Sequence, residues 1–198
     1  MKTAKEYKIL AKSNLKGNWK KSICVCLIIT IVSSLISIIP VLGMVFSLLF
    51  ASQFIVSGYN FFLKTNNNNS PRVSSIFDNF GQQWANNFVV YILQSIYTVL
   101  WSILFIIPGI IKSYAYSMSL FLKAKDPKMT SKEAINLSIK MMDGNKLKLF
   151  YLQISFCGWI ILSYLTLGIG FIFLEPYMKS ATTSFYEDIY CGYYRKKH

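Results

Sequence analysis

The chain consists of long apolar blocks separated by segments that hold nearly all of its charges. Six blocks can be read from the sequence, at residues 23–39, 41–63, 88–107, 110–122, 149–165 and 168–190. A helix needs about 20 residues to cross roughly 30 Å of hydrocarbon, and a shorter block can recruit its polar flanks. Turns at Pro40, Pro108-Gly109 and residues 166–168 join the blocks in pairs. The pattern predicts an all-α membrane protein with six transmembrane helices in three hairpins.

The charges orient these predicted helices. Of the 21 Lys and Arg residues, seven lie in residues 1–22, seven in 123–148, two in 64–87 and three in 195–197. Because basic residues stay on the cytoplasmic side, both termini and both long connections are expected in the cytoplasm. Only 15% of the residues are charged, against about a quarter in soluble domains, which argues against a soluble globule. Four spans are the alternative, if block 41–63 or the last pair re-enters on one side.

A short amphipathic segment precedes each predicted hairpin. Thr3 and Glu6 form a capping box that opens the first segment. Thr130 and Glu133 form another that opens the third, and Ser70-Pro71 opens the second. The segments end at three glycines, 64 and 63 residues apart: Gly17, Gly81 and Gly144. This spacing predicts one membrane domain, residues 1–198, built from three repeat units at about 1–64, 65–125 and 126–198.

Each amphipathic segment is expected to present one apolar face. The first has Tyr7, Leu10, Ala11 and Leu15 on that face, and Lys5, Lys8, Lys12 and Lys16 on the other. The second has Val73, Ile76, Phe77 and Phe80. The third has Ala134, Ile135, Leu137, Ile139, Met141 and Met142, with Asn136, Lys140 and Asp143 opposite. Two interpretations are open: a surface that binds anionic lipid or a partner protein, or elbows that connect the hairpins at the membrane interface.

Ionisable residues inside predicted spans are candidates for function, because an unpaired charge there costs several kcal/mol. Three occur, Lys112, Glu175 and Lys179. Glu175 and Lys179 can pair along one helix face, and Lys112 at a similar depth can instead pair with Glu175 or reach the headgroups. Pro176 predicts a kink beside them. With the neighbouring Tyr114, Tyr116 and Tyr177, these residues either line a polar intramembrane site or hold the helices together.

Residues that support catalysis or metal binding are scarce. The single histidine, His198, is the last residue, and motifs for nucleophilic catalysis, phosphate loops and dinucleotide binding are absent. Cys24 and Cys26 are two residues apart, but no second Cys or His pair accompanies them, so we expect no metal and no cofactor. Membrane topology accounts for the net charge of +13, so we expect no nucleic-acid partner. The sequence therefore predicts a protein that is not an enzyme.

Two stretches carry a family resemblance. The first is Ile106-Ile-Pro-Gly-Ile-Ile-Lys-Ser-Tyr-Ala-Tyr-Ser-Met118. The second runs from Glu133-Ala134 through Met141-Met142-x-Gly144 and Gly158-Trp159 to Phe185-Tyr186-Glu187. Together they resemble a bacterial integral-membrane family, the domain of unknown function nine-seven-five, distantly similar to the membrane domain of some glycerophosphodiester phosphodiesterases. The resemblance implies a multi-pass protein of a bacterial cytoplasmic membrane. It implies no catalytic residue, because the family has no established activity.

Two functional hypotheses follow from these features. The first is a non-enzymatic membrane protein that binds lipid or a partner protein at the cytoplasmic membrane, as the basic amphipathic segments indicate. The alternative is a small-molecule or peptide transporter, or an immunity protein, with Glu175, Lys179 and Lys112 in its pathway. The sequence predicts neither a ligand nor an oligomeric state.

Overall fold

A computed structural model describes residues 2–37, 40–67, 71–77, 84–104 and 106–195, and these ranges contain helices and no strand. The helices are α1 (Ala4–Leu15), α2 (Trp19–Ser37), α3 (Pro40–Asn66), α4 (Trp84–Leu104), α5 (Ile106–Tyr116), α6 (Ser119–Lys125), α7 (Ser131–Met142), α8 (Lys146–Ile154), α9 (Cys157–Leu165) and α10 (Ile169–Arg195). One 3-10 turn lies at Val73–Ile76. The all-α prediction is confirmed.

Helices α1 and α7 begin and end where the sequence predicts. Each is 12 residues long and opens with a complete capping box, in which Thr3 and Thr130 accept from the backbone N–H of the Glu three residues on. Gly17 and Gly144, two residues beyond the helix ends, have φ of 87° and 70°. A side chain at either position would be strained, so the glycines are required for the chain to turn into the next helix.

The apolar faces of these two helices are also confirmed. In α1, Tyr7, Ala11 and Leu15 are buried. In α7, the buried set includes Ala134, Ile135, Met141 and Met142. The buried Ser138 belongs to the same face, where its hydroxyl donates to the carbonyl of Ala115 at 2.8 Å and so satisfies its hydrogen-bonding need.

The second amphipathic segment differs from the other two. Its described part is a single 3-10 turn, Val73–Ile76, and not an α-helix. Phe77, which the sequence places on the apolar face, is 51% exposed. Ser70, Phe80 and Gly81 lie outside the described residues. The turn has no side-chain cap, whereas a capping box opens both α1 and α7.

Two predicted spans are interrupted. Block 110–122 is divided at Ser117-Met118 between α5 and α6, and block 149–165 at Ser155-Phe156 between α8 and α9. At each break a serine hydroxyl donates to the carbonyl three residues earlier, at 2.8 Å for Ser117 and 2.6 Å for Ser155. Such bonds compete with the helical backbone pattern. The Lys8 ammonium also donates to the carbonyl of Ser155, which holds the second break from outside the helix.

The three predicted units pack in sequence around a shared centre. Helix α7 contacts α4, α5 and α6 of the preceding unit, and the 3-10 turn contacts α2 and α3 of the unit before it. Helix α1 packs against α10 of the last unit. At the centre the rings of Tyr59, Phe121 and Tyr186, one from each unit, touch one another with centroids 5.4 to 6.1 Å apart.

In each of two hairpins, the first helix crosses the second where a serine meets a glycine that lies seven residues later in the sequence. A Cβ built on Gly109 would lie 2.7 Å from the Cα of Ser102, and one built on Gly170 would lie 2.7 Å from the Cα of Ser163. Only a glycine lets the two backbones approach this closely. Small residues at such crossings are typical of helices that pack within a membrane.

Large apolar side chains are exposed along α4 and from α8 into α10, and Leu165 and Leu167 near the last turn are 76% and 94% exposed. Contiguous apolar surface of this kind indicates contact with a membrane or a partner. Within the described residues, one helical stretch, Lys146–Leu165, is long and apolar enough to cross a bilayer. The six-span arrangement stays a prediction.

Candidate functional site

Helix α10 carries the two charges that the sequence places inside the last span. The Lys179 ammonium lies 2.7 Å from the Glu175 carboxylate, one turn away on the same face. The Thr30 hydroxyl of α2 is 3.5 Å from the other oxygen of Glu175. The side chains of Glu175 and Lys179 are 38% and 37% exposed, so the pair is open on one side and is not enclosed by the bundle.

The charge pair opens into a groove between α3 and α10, which we call the pair groove. Its volume is about 480 Å³. Its walls are Phe54, Ile55, Gly58, Tyr59 and Phe62 from α3, and Phe171, Glu175, Met178, Lys179 and Thr182 from α10. The groove is therefore apolar and aromatic along its length, and Glu175 and Lys179 are its charged groups.

Lys112 is not part of the pair groove. Its ammonium lies 4.8 Å from the ring centroid of Trp101, in the hairpin formed by α4 and α5. The Glu175 carboxylate pairs with Lys179, so the alternative pairing with Lys112 is not formed. The cation–π contact supplies the Lys112 ammonium with a partner on its own hairpin.

The three predicted tyrosines lie in different contacts. The Tyr114 hydroxyl donates to the Gln153 side-chain oxygen at 2.5 Å. The ring of Tyr116 packs against Tyr97, with centroids 5.9 Å apart. Tyr177 meets the edge of Phe156 at 5.3 Å. The structure therefore brings Glu175 and Lys179 together and does not gather all six predicted site residues into one cavity.

A second groove, missed by the sequence reasoning, lies on the opposite flank of α10 and is called here the lysine groove. It has a volume of about 360 Å³ and is formed by α1, α2, α9 and α10. Its lining is Lys12, Trp19, Trp159, Leu162, Ser163, Thr166, Gly170, Phe173, Leu174 and Tyr177. Lys12 is the charged residue of a mainly apolar and aromatic lining, which forms where α1 and α2 meet the distant pair α9 and α10.

The basic face of α1 is narrower than the sequence predicts. Lys5, Lys12 and Lys16 are exposed, as expected. Lys8 instead turns toward the α8–α9 break, where its ammonium lies 4.3 Å from the ring centroid of Phe156 and donates to the carbonyl of Ser155. Burial lowers the pKa of Lys8. Three lysines therefore remain available on this face for anionic groups.

Hydrogen bonds that the sequence reasoning did not predict join α1 and α3 to α10. The Tyr7 hydroxyl donates to Asp188 at 2.6 Å. Asn66 donates to the Ser184 hydroxyl and accepts from the Ser180 hydroxyl, both at 3.0 Å. These bonds hold α10 beside α1 and α3. Within the described ranges no group of three His, Cys, Asp or Glu side chains is arranged to hold a metal ion.

Comparison with protein families places the chain among relatives of unknown function. The model of the family described as "Protein of unknown function (DUF975)" matches residues 1–113 and 103–191. The chain belongs to this family. No curated protein and no solved structure is similar enough to this chain to count as a match. The site is therefore interpreted from its own residues.

Proposed function

We propose that this DUF975 protein is a non-enzymatic, multi-pass protein of the bacterial cytoplasmic membrane that binds anionic lipid through α1 and the lysine groove. The observation that carries the proposal is the position of Lys12, which lines an apolar groove together with Trp19 and Trp159. A cation beside tryptophans and exposed apolar side chains matches the boundary between lipid headgroups and acyl chains.

The surroundings of the groove support the same function. Trp159 and Phe173 are more than half exposed beside it, so acyl chains can cover an apolar wall that water would otherwise meet. Lys5 and Lys16 extend the positive surface from Lys12 along α1. A phosphate headgroup can pair with these ammonium groups while its acyl chain lies in the groove.

A transport role receives less support from the geometry. A pathway through the bundle needs its polar groups along one route, and Lys112 lies over Trp101 while Glu175 pairs with Lys179. Binding at the surface of the bundle requires no such route. The similarity to the membrane domain of glycerophosphodiester phosphodiesterases stays a prediction.

The test removes the three exposed lysine charges of α1 and its C-cap. In Lys5→Gln, Lys12→Gln and Lys16→Gln combined, each lost lysine removes about 1 kcal/mol of attraction to anionic lipid, so affinity for phosphatidylglycerol should fall about a hundredfold. The measurement is the shift of the thermal unfolding midpoint of the full chain in detergent during titration with phosphatidylglycerol or phosphatidylcholine. Lys8 is left unchanged because it holds the α8–α9 break.

The matched control removes the same charge elsewhere on the same face of the membrane. Lys128, Lys132 and Lys140 are exposed on and beside α7, so their combined change to Gln alters net charge equally. We expect this control to keep most of its affinity for phosphatidylglycerol. An equal loss in both variants would show attraction by net charge and no site on α1. An unchanged affinity in the α1 variant, with loss of a co-purified protein, would assign the face to a protein partner.

A further inference from the structure

The pair groove combines an exposed ion pair with apolar and aromatic walls. Its walls are apolar and aromatic, and α10 is predicted to lie within the membrane at this depth. Yet the side chains of Glu175 and Lys179 are more than a third exposed toward it. Charges that face acyl chains directly are unfavourable, because hydrocarbon supplies neither counter-charge nor hydrogen bonds. An occupant that is charged at one point and apolar along the rest of its length matches both features.

We propose that the pair groove binds an aminophospholipid, a lipid whose headgroup carries a primary ammonium and a phosphate. This inference rests on the proposed membrane location of the protein. The Glu175 carboxylate accepts from the ligand ammonium, and the Lys179 ammonium donates to the phosphate. One acyl chain lies along the apolar wall that includes Phe54, Ile55 and Phe171. Each charged group of the helix thus meets a group of opposite sign.

The spacing of the pair suits a headgroup of this size. The carboxylate and the ammonium lie 2.7 Å apart on one face of α10, so a headgroup whose own two charges are joined by a short carbon linker can lie beside them with its charges in the opposite order. The Thr30 hydroxyl, 3.5 Å from Glu175, adds a further polar atom beside the carboxylate. A bound headgroup can therefore engage both charges without breaking the helix.

The same geometry discriminates between headgroups. A primary ammonium donates hydrogen bonds to Glu175, whereas a quaternary ammonium has no N–H to donate. A headgroup that is only anionic would pair with Lys179 but meet repulsion from Glu175. The expected order of affinity is therefore phosphatidylethanolamine above phosphatidylcholine, with phosphatidylglycerol weak at this groove.

The experiment uses the full chain purified in detergent and measures bound lipid by native mass spectrometry. The probes are short-chain phosphatidylethanolamine and phosphatidylcholine, and free phosphoethanolamine. Loss of one charge-assisted hydrogen bond predicts that phosphatidylethanolamine binds about tenfold more tightly than phosphatidylcholine. Glu175→Gln should abolish that preference, because the hydrogen-bonding carboxylate that distinguishes the two headgroups is removed. Equal affinity of the unaltered chain for the two lipids would overturn the proposal.

A charge exchange separates ligand binding from a structural role. The double variant Glu175→Lys with Lys179→Glu keeps an ion pair at the same spacing, so the fold is retained even if the single variants unfold. The positive and negative charges exchange positions along the groove, so we expect the preference for phosphatidylethanolamine to be lost. A folded exchange variant that keeps the full preference would refute the site. Binding of free phosphoethanolamine as tight as that of the lipid would refute the lipid as occupant.

The two lipid proposals fail independently. The α1 lysine variant should lose affinity for phosphatidylglycerol and keep its preference for phosphatidylethanolamine. The Glu175→Gln variant should show the reverse. If the α1 variant leaves phosphatidylglycerol binding intact while Glu175→Gln removes the phosphatidylethanolamine preference, the pair groove stands and the role of α1 does not.

Discussion

The crossing of α9 and α10 provides a sharp test of the fold. Gly170 is the second residue of α10, and a Cβ built on it lies 2.7 Å from the Cα of Ser163 in α9. That contact is with backbone, so rotation of a side chain cannot relieve it. Gly170→Ala should therefore push the two helices of the hairpin apart and widen the lysine groove, which Gly170 and Ser163 both line.

The magnitude follows from the distance. Carbon atoms pack best at about 3.5–4.0 Å, so the helices must separate by about 1 Å. Inserting a methyl group into a contact that cannot adjust costs about 1–3 kcal/mol, and the better helix propensity of Ala returns at most about 1 kcal/mol. We expect Gly170→Ala to lower the free energy of unfolding by about 1–2 kcal/mol.

A matched control lies in the partner helix. Gly158 is the second residue of α9, and a Cβ built on it meets no atom within 4 Å. Gly158→Ala should keep or raise stability, by up to about 1 kcal/mol. The measurement is thermal unfolding of each variant in detergent, with circular dichroism as the signal. If Gly170→Ala is as stable as Gly158→Ala, the close approach at Ser163 is wrong.

Two further predictions concern buried polar groups. Lys123 is 1% exposed and donates to the carbonyls of Pro127 and Met129 at 2.7 and 2.6 Å. Lys123→Met should therefore lower the free energy of unfolding, measured by thermal unfolding, by about 2–4 kcal/mol. An unchanged midpoint would contradict a role in holding the loop before α7. Burial and the bond to Asp188 raise the pKa of Tyr7. Tyr7→Phe should therefore lower the free energy of unfolding by about 1 kcal/mol at pH 6–9. This difference should shrink above pH 10.0, because Tyr7 then ionises in the unfolded chain only, and the stability of the unaltered chain falls.

The ends of α1 and α7 could be predicted from sequence because their determinants are local. A capping box fixes the first turn, and a glycine at positive φ fixes the exit, whatever packs against the helix. The Glu175–Lys179 pair is local in the same way, because side chains four residues apart on one helix lie on the same face.

The breaks at Ser117-Met118 and Ser155-Phe156 could not be predicted in this way. Neither break carries a charge or a proline in the sequence, and the contact that holds the second break comes from Lys8, 147 residues away. Lys112 shows a related difficulty. Depth in the membrane can be estimated from distance to a turn, but rotation about the helix axis depends on packing, and packing directs Lys112 to Trp101.

The lysine groove was missed because no single segment contains it. In the sequence, Lys12 is one of several lysines on a basic face, and Trp159 is one residue of an apolar block. Only the fold places the two side chains in one groove. Lys12 and Trp19 are seven residues apart across Gly17, which could have suggested a shared interface. The apolar partners from α9 and α10 carry no distinguishing sequence signal.

The packing of α1 on α10 connects the fold with both grooves. The 3-10 turn and α7 each contact the preceding unit, and α1 contacts α10 of the third unit. We infer that the three units close into a ring around Tyr59, Phe121 and Tyr186. In a closed ring α10 is held on one side by α1 and on the other by α3. The lysine groove and the pair groove follow those two sides of α10.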